Sequence, residues 1–284
     1  MHTVGVIGGS GLYDMVGLES IERVSLTTPF GAPSDEYVRG TLGGARLIFL
    51  PRHGRGHRLL PTEVNFRANM FGMKQLGAEW VIAVGAVGSL REDIRPGHLV
   101  VPDQLIDRTY QRPSTFFGNG IVAHVAFADP FCPLLAQSLI DAAQHVGATV
   151  HPRGTYVCME GPQFSTRAES RLYRQWGADI IGMTNLQEAK LAREAELCFA
   201  TLALATDYDC WHETEADVVI GDILRILNEN VAAAQRVITA AVPRLHTPRT
   251  CACATALEYA IITDRARIPE SVKRDLGIII GKYV

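Results

Sequence analysis

Val4-Gly-Val-Ile-Gly-Gly-Ser-Gly11 opens the chain as a short apolar strand that runs directly into a glycine-rich turn. The same signature, an apolar and β-branched run closed by glycine or proline, recurs at residues 47–50, 81–84, 99–101, 156–159, 180–183 and 199–206. Runs this short and this apolar read as strands buried on both faces. Between several of them residues 63–76, 133–146, 167–176, 185–196 and 218–242 carry helical periodicity. Thr166 with Glu169, and Asn185 with Glu188, have the spacing of capping boxes. Buried strands alternating with helices predict an α/β fold: a single-domain, mixed, largely buried β-sheet flanked by helices. No repeat or low-complexity linker divides the chain, and the domain is expected to span 1–245. Residues 246–284 change character, carrying Pro248, Cys251 and Cys253 before a short helix that opens near Pro269. This tail is expected either to cap its own domain or to cross onto a neighbouring subunit.

The bulk properties narrow the function classes. The 284 residues suffice to bury a sizeable core, and 47% hydrophobic with 20% charged residues is ordinary globular composition. A net charge of -3 with no long Lys/Arg run argues against nucleic acid or an anionic membrane as partner. The N-terminus enters its strand without a basic leader, and no window approaches the roughly 18 apolar residues of a membrane span, so a cytoplasmic protein is expected. None of the six cysteines forms a C-x-x-C pair. A structural zinc site is therefore not expected, and cysteines in apolar runs read as small hydrophobes.

Four stretches carry candidate chemistry. Gly8-Gly9-Ser10-Gly11 looks like a dinucleotide-binding turn, but the third glycine of that fingerprint falls on Asp14 and no acidic ribose partner follows at the right spacing. No Gly-Lys-Ser/Thr is present, which excludes a P-loop. What is left is a turn whose backbone N–H groups and Ser10 hydroxyl suit an anion, or a plain tight turn. Pro51-Arg52-His53-Gly54-Arg55-Gly56-His57 follows another strand. The rigid donor fork of arginine and the close backbone approach that glycine permits fit an oxyanion, against the alternative of a solvated basic loop. Ala83-Val84-Gly85-Ala86-Val87-Gly88-Ser89 places small residues at a strand exit, where a ribose or flat ligand can lie on the backbone; close helix packing explains them equally.

The sharpest stretch is Ala205-Thr206-Asp207-Tyr208-Asp209-Cys210-Trp211. If the strand continues, a spacing of two puts Asp207 and Asp209 on one face. Close, partly buried carboxylates raise one another's proton affinity, so the pair can donate to a purine N7 and accept from an exocyclic amine. A helix N-cap at Asp209 or a metal site are the alternatives, and no histidine cluster supports a metal. His124 lies in a loop of small and apolar residues at 116–129, and the apolar face at 218–224 is explained by core packing alone.

Taken in order, Ile7-Gly-Gly-Ser-Gly11, Thr28-Pro-Phe-Gly-Ala-Pro-Ser34, Arg52-His-Gly-Arg55, Gly88-Ser-Leu-Arg91, Asp107-Arg-Thr109, Glu160-Gly-Pro-Gln-Phe164 and Thr206-Asp-Tyr-Asp-Cys-Trp211 resemble the methylthioadenosine phosphorylases, of the trimeric purine nucleoside phosphorylase class. Each motif is modest; seven in register across 1–243 are specific. The resemblance implies phosphorolysis of 5'-methylthioadenosine to adenine and 5-methylthioribose 1-phosphate. It further implies inorganic phosphate as co-substrate, no organic cofactor, no metal, and a homotrimer or a hexamer of two trimers. Phosphate is expected among Ser10, Arg52, His53, Gly85, Ala86 and Thr184. The nucleoside is expected along Val87, Gly88, Phe164, Ile181, Gly182, Met183 and Tyr208, with Asp207 assisting departure of the base and Asp209 reading the 6-amino group. Ser165 and Ile220 match positions tied to substrate choice, Ile223 and Leu224 the pocket for the 5'-substituent, and His124 a residue reaching in from the adjacent subunit.

Two departures from the family pattern stand out: Gly85, where many members carry a hydroxyl for phosphate, and Gly182, where relatives often have asparagine. The latter is expected to alter the floor of the sugar or base pocket. The Cys251-Ala-Cys253 tail resembles a redox-active or disulfide-forming motif of some heat-adapted members. Other readings are a phosphorylase of the same class preferring 6-oxopurine nucleosides or methylthioinosine, a nucleosidase that needs no phosphate, and a non-catalytic nucleotide-binding protein on this fold.

Overall fold

The apolar runs come together in one eleven-stranded sheet. In a computed structural model that describes residues 2–9, 12, 15, 17–212, 220–245 and 248–284, the strands are β1 (Thr3–Gly8), β2 (Glu19–Val24), β3 (Tyr37–Leu42), β4 (Ala45–Pro51), β5 (Trp80–Ser89), β6 (Leu99–Val100), β7 (Gln104–Arg108), β8 (Val150–His151), β9 (Thr155–Met159), β10 (Ile180–Gly182) and β11 (Cys198–Asp207). The helices are α1 (Phe66–Gln75), α2 (Pro133–His145), α3 (Arg167–Gln175), α4 (Asn185–Glu194), α5 (Ile220–Ala241), α6 (Glu270–Asp275) and α7 (Gly277–Ile280). No helix among the described residues is long and apolar enough to cross a membrane.

The sheet is mixed. β1 runs parallel to β4 and β5, and β5 parallel to β11, whereas β10 lies antiparallel to β5. All of β1 and all but the last residue of β11 are buried, as continuous apolar strands require when both faces are covered. One face, with Val6, Leu47, Ile82 and Leu202, packs against α2 and α5; the other, with Ile7, Ile48, Ala83 and Phe199, packs against α1 and α4.

Strand β5 organises the site because its pairing changes along its length. β11 follows one edge from Trp80 to Gly88. On the opposite edge β1 pairs with Trp80–Ala83 and β10 with Gly88 and Ser89. The intervening edge, residues 84–87, has no strand beside it, so a slot opens in the middle of the sheet. The stretch 83–89, expected as a strand exit, is therefore strand throughout.

Thr166 caps α3 with the predicted box, its side chain accepting from the Glu169 N–H while Glu169 accepts from Thr166. The second predicted box does not form. Thr184 occupies the N-cap of α4, Asn185 turns to the Thr201 hydroxyl at 2.5 Å, and Glu188 is committed to an arginine described below.

The tail folds back on its own domain. Leu257, Ile268, Leu276, Ile279 and Ile280 complete the core beneath α1 and α4, and Cys253 enters the other cluster. Leu257 and Ile280 are fully buried, and truncating such a side chain to alanine costs about 2–5 kcal/mol. Residues 248–284 are thus part of the folded unit. Cys132, Cys198, Cys251 and Cys253 converge beneath this tail, which their spacing along the chain does not foretell.

Candidate active site

The slot in β5 lies where the carboxyl ends of β1, β4, β5 and β11 meet, the usual place for ligands in an open α/β sheet. Ala86 is exposed there although Val84 and Val87 on either side are buried. The Val84 carbonyl points into the slot, where it accepts from Arg52 Nη1 at 3.0 Å. Strand alternation sends the Ala86 N–H to the same edge.

Arg52 emerges from the end of β4 and is itself buried. Its Nε and Nη2 donate to the two oxygens of Glu188 at 2.5 and 2.9 Å, and Nη2 also donates to the Ile7 carbonyl at 3.3 Å. Burial opposes the charge, but the adjoining Glu188 carboxylate outweighs it and holds the guanidinium protonated. With four donations made, one of the five N–H groups of the guanidinium, on Nη1, has no partner among the described residues. A methyl group at Gly85 would lie 3.7 Å from that nitrogen. The glycine therefore keeps the approach to the last arginine donor clear.

His53 follows on the same turn. Its Nδ1 is 2.8 Å from the Leu59 carbonyl, so the neutral ring donates there and leaves Nε2 as an acceptor. Burial, then the Arg52 charge, lowers its pKa to about 4. The ring stacks on His57 with centroids 4.3 Å apart.

Asp207 ends β11 and Asp209 sits in the turn beyond it, with φ at +52°. The strand does not continue, so the pair does not share a strand face as the spacing suggested. A different device joins them: the Asp209 N–H donates to Asp207 Oδ1 at 2.8 Å, while the Thr206 hydroxyl donates to Oδ2 at 2.7 Å. Both side chains nevertheless converge on Gly88, where an added methyl would meet Asp207 Oδ1 at 3.0 Å and the Asp209 Cβ at 3.3 Å. Burial raises the pKa of each carboxyl, and Asp207 pushes Asp209 further the same way. Trp211 pins this turn to the end of β5 by donating to the Ser89 carbonyl at 2.7 Å, and Arg174 lies 3.4 Å over its ring. Among the described residues no third ligating side chain joins the two aspartates, so the metal alternative finds no support there.

The opposite wall comes from β10 and the start of α4. Ile181 pairs with Gly88, and Met183 and Thr184 follow, half-buried, as the chain turns into the helix. A side chain at Gly182 would overlap the Tyr156 hydroxyl. The floor that the sequence departure left in question is therefore built from the buried Tyr156 phenol. Phe164 is 56% exposed at the rim, and beside it the Ser165 hydroxyl approaches the Met159 sulphur at 3.7 Å. Tyr208 is half-buried and stacks on His212 with centroids 4.6 Å apart. His124 is exposed on a strap that pairs with the tail through its N–H and the Ala260 carbonyl. Ser10 lies outside the described residues. The side chains of Ile220, Ile223 and Leu224 do too, although their backbone forms the start of α5.

Two residues escaped the sequence reading. Glu188, at capping-box spacing from Asn185, is instead the partner of Arg52. Arg112, buried, donates to the carbonyls of Met183 and Glu160 and pairs with the Glu160 carboxylate at 3.3 Å. It fixes the Met183 segment against the Glu160-Gly-Pro loop. Neither pairing has a local sequence signal, because the partners are 136 and 48 residues apart.

The split strand edge, the buried arginine beneath it and the acid pair whose proton affinity burial raises belong to an enzyme of the phosphorylase superfamily, whose family model matches residues 3–243. The chain belongs, within that superfamily, to the S-methyl-5'-thioadenosine phosphorylase family. The enzyme of that name from Geobacter sulfurreducens is 62% identical over 284 residues, covering 100% of this chain and 99% of the relative. The one from Koribacter versatilis is 58% identical over 99% of this chain and 96% of its own. Among solved structures, a methylthioadenosine phosphorylase from an antarctic soil metagenomic library superposes with a TM-score of 0.94 at 48% identity, covering 98% of each chain. The Schistosoma mansoni methylthioadenosine phosphorylase in complex with tubercidin gives 0.82 at 36% identity, covering 91% of this chain and 96% of the other.

Proposed function

We propose that the chain catalyses phosphorolysis of 5'-methylthioadenosine, yielding adenine and 5-methylthioribose 1-phosphate, with inorganic phosphate as second substrate and no organic cofactor. The observation that carries this reading is the placement of two opposed functions across one strand edge: the open Arg52 donor over Gly85, and the Asp207–Asp209 pair against Gly88. Phosphate fills the slot between Arg52, the Ala86 N–H and Thr184, with the neutral His53 Nε2 accepting from the phosphate's own hydroxyl and Ser10 as a further donor. A phosphate oxygen attacks C1', the C1'–N9 bond breaks, and its electron pair leaves with the base. The anion stabilises the cationic sugar, and Asp207, whose burial favours its protonated form, delivers a hydrogen bond or proton to N7. Asp209 accepts from the 6-amino group. Positioning and electrostatics thus supply the catalysis, and no protein nucleophile is needed.

The nucleoside lies along Val87, Gly88, Ile181, Gly182 and Met183, with the base near Phe164 and Tyr208. Ser165 and Ile220 bear on substrate choice, and the Ile220, Ile223 and Leu224 surface favours the methylthio end; an apolar pocket alone discriminates about 10–200-fold per group. The exposed His124 strap fits a homotrimer or a hexamer of two trimers in the cytoplasm, where it completes a neighbouring site.

The test is base release from methylthioadenosine, adenosine, inosine and methylthioinosine, each with and without phosphate. Phosphate-dependent adenine release, fastest from methylthioadenosine, is expected. Release without phosphate would make the enzyme a nucleosidase, and a preference for 6-oxo substrates would overturn the roles of Asp207 and Asp209.

A further inference from the structure

At the opposite end of β11 from Asp207, four sulphurs gather. Those of Cys132, Cys198, Cys251 and Cys253 all lie within 4.8 Å of one another. Three distant segments supply them: Cys132 is the N-cap of α2, Cys198 the first residue of β11, and Cys251 and Cys253 open a 3-10 turn of the tail. Three of the four are buried and Cys251 is half-buried, among the apolar side chains that pack α2 onto the sheet.

The distances choose between two chemistries. Cys251 Sγ is 3.2 Å from that of Cys198 and 3.7 Å from that of Cys132. A disulfide needs about 2.05 Å, and none joins these residues. Four sulphurs held about 2.3 Å from a central tetrahedral ion stand about 3.8 Å apart, close to what is seen. The surroundings favour the negative charge that four thiolates would bring. Arg249 Nη1 lies 3.7 Å from the Cys198 sulphur, anchored by the carbonyls of Glu79 and Glu196 at 3.1 and 2.9 Å. Cys132 sits at the positive end of α2, a helix of 13 residues. An all-sulphur donor set in a closed apolar pocket suits a zinc-type ion in a structural role, with no position left for substrate.

We propose that Cys132, Cys198, Cys251 and Cys253 form a tetrathiolate site that binds one zinc-type divalent ion and ties the tail to the domain. The site lies about 30 Å along β11 from Asp207, at about 3.3 Å per residue, so the ion takes no part in the chemistry. Metal-ligand spacing fails to signal it because only Cys251 and Cys253 are neighbours in the chain.

The test uses the untagged, full-length chain, purified reduced and desalted, with its metal content measured by mass spectrometry. About one zinc per chain is expected. Replacement by Co2+ should give the thiolate-to-cobalt charge-transfer band of a tetrahedral sulphur site. Cys251→Ser, at the ligand with most solvent contact, should lose both the zinc and that band. Cys210→Ser, outside the cluster, should keep them. A chelator should lower the Tm of the parent chain and leave that of Cys251→Ser unchanged. The proposal is overturned if folded, reduced, zinc-supplied protein holds far less than one ion per chain and shows no charge-transfer band. It is equally overturned if Cys251→Ser binds the ion like the parent, or if the chain as isolated carries disulfides among the four.

Discussion

Two ionisable pairs sit three residues apart along β5, one at Gly85 and the other at Gly88, and they are built on opposite plans. Arg52 and Glu188 are unlike charges, both buried, joined by two hydrogen bonds, with a single donor to spare. Asp207 and Asp209 are like charges at the end of a strand, and burial pushes both towards holding a proton. The first pair is a fixed charge whose geometry is settled before any ligand arrives. The second is biased by burial towards an adjustable proton, at the Gly88 end of the slot. In the reaction proposed above, the first pair would hold the anion and the second would manage the leaving group.

The contrast can be broken most forcibly at Asp207. Asp207→Asn keeps the shape and removes the adjustable proton, so kcat/KM for methylthioadenosine should fall by about 10²–10⁴-fold, with relative activity on inosine-type substrates rising. An unchanged preference for adenine across the substrate panel would end its assignment as base reader. Glu188→Gln attacks the other pair, leaving the Arg52 charge buried with its compensation gone. A loss of about 3–5 kcal/mol in urea unfolding is expected, with a raised KM for phosphate; a stability change below about 1 kcal/mol would show that the pair is not what fixes the arginine.

His53 sharpens the comparison by pH. Its folded pKa of about 4 lies below the ordinary histidine value of about 6.5. The unfolded chain therefore takes up this proton first, and stability falls as pH drops from about 6.5 towards about 4. His53→Gln escapes that loss, so the parent should weaken relative to the variant across this window by roughly 1–3 kcal/mol, and the two should run parallel above it. The smallest effect belongs to the rim. Phe164→Ala, at a side chain already 56% exposed, should change stability by less than about 0.5 kcal/mol while raising the nucleoside KM, and a rise in phosphate KM alone would move this residue out of the base pocket.

What the sequence disclosed follows burial. β1, β4, β9 and β11 announce themselves because both faces are largely covered and most positions are apolar. β2, with Glu19, Glu22 and Arg23 exposed at the sheet edge, and β7, with Asp107 and Arg108, carry no such pattern and were not recognised. The site motifs were legible where they sit at strand ends, as with Arg52 and Asp207. The side chains that hold the site were not, since Glu188 reaches Arg52, Arg112 the Met183 segment and Tyr156 the space beside Gly182 only through the fold. The two-residue spacing of Asp207 and Asp209 pointed to a shared strand face, and the pair converges by another geometry, because the chain turns at Asp209 before such a face can form.

The split edge of β5 has a further consequence. A central strand of a parallel sheet ordinarily surrenders its amide hydrogens to solvent only when the whole domain opens. Here Ala86, exposed between half-buried Gly85 and buried Val87, has no strand on its slot edge to accept its amide. The middle of the sheet thus carries one rapidly exchanging hydrogen flanked by slow ones. An anion seated in the slot gives that amide an acceptor, so deuterium uptake at a single backbone position reports occupancy without any turnover.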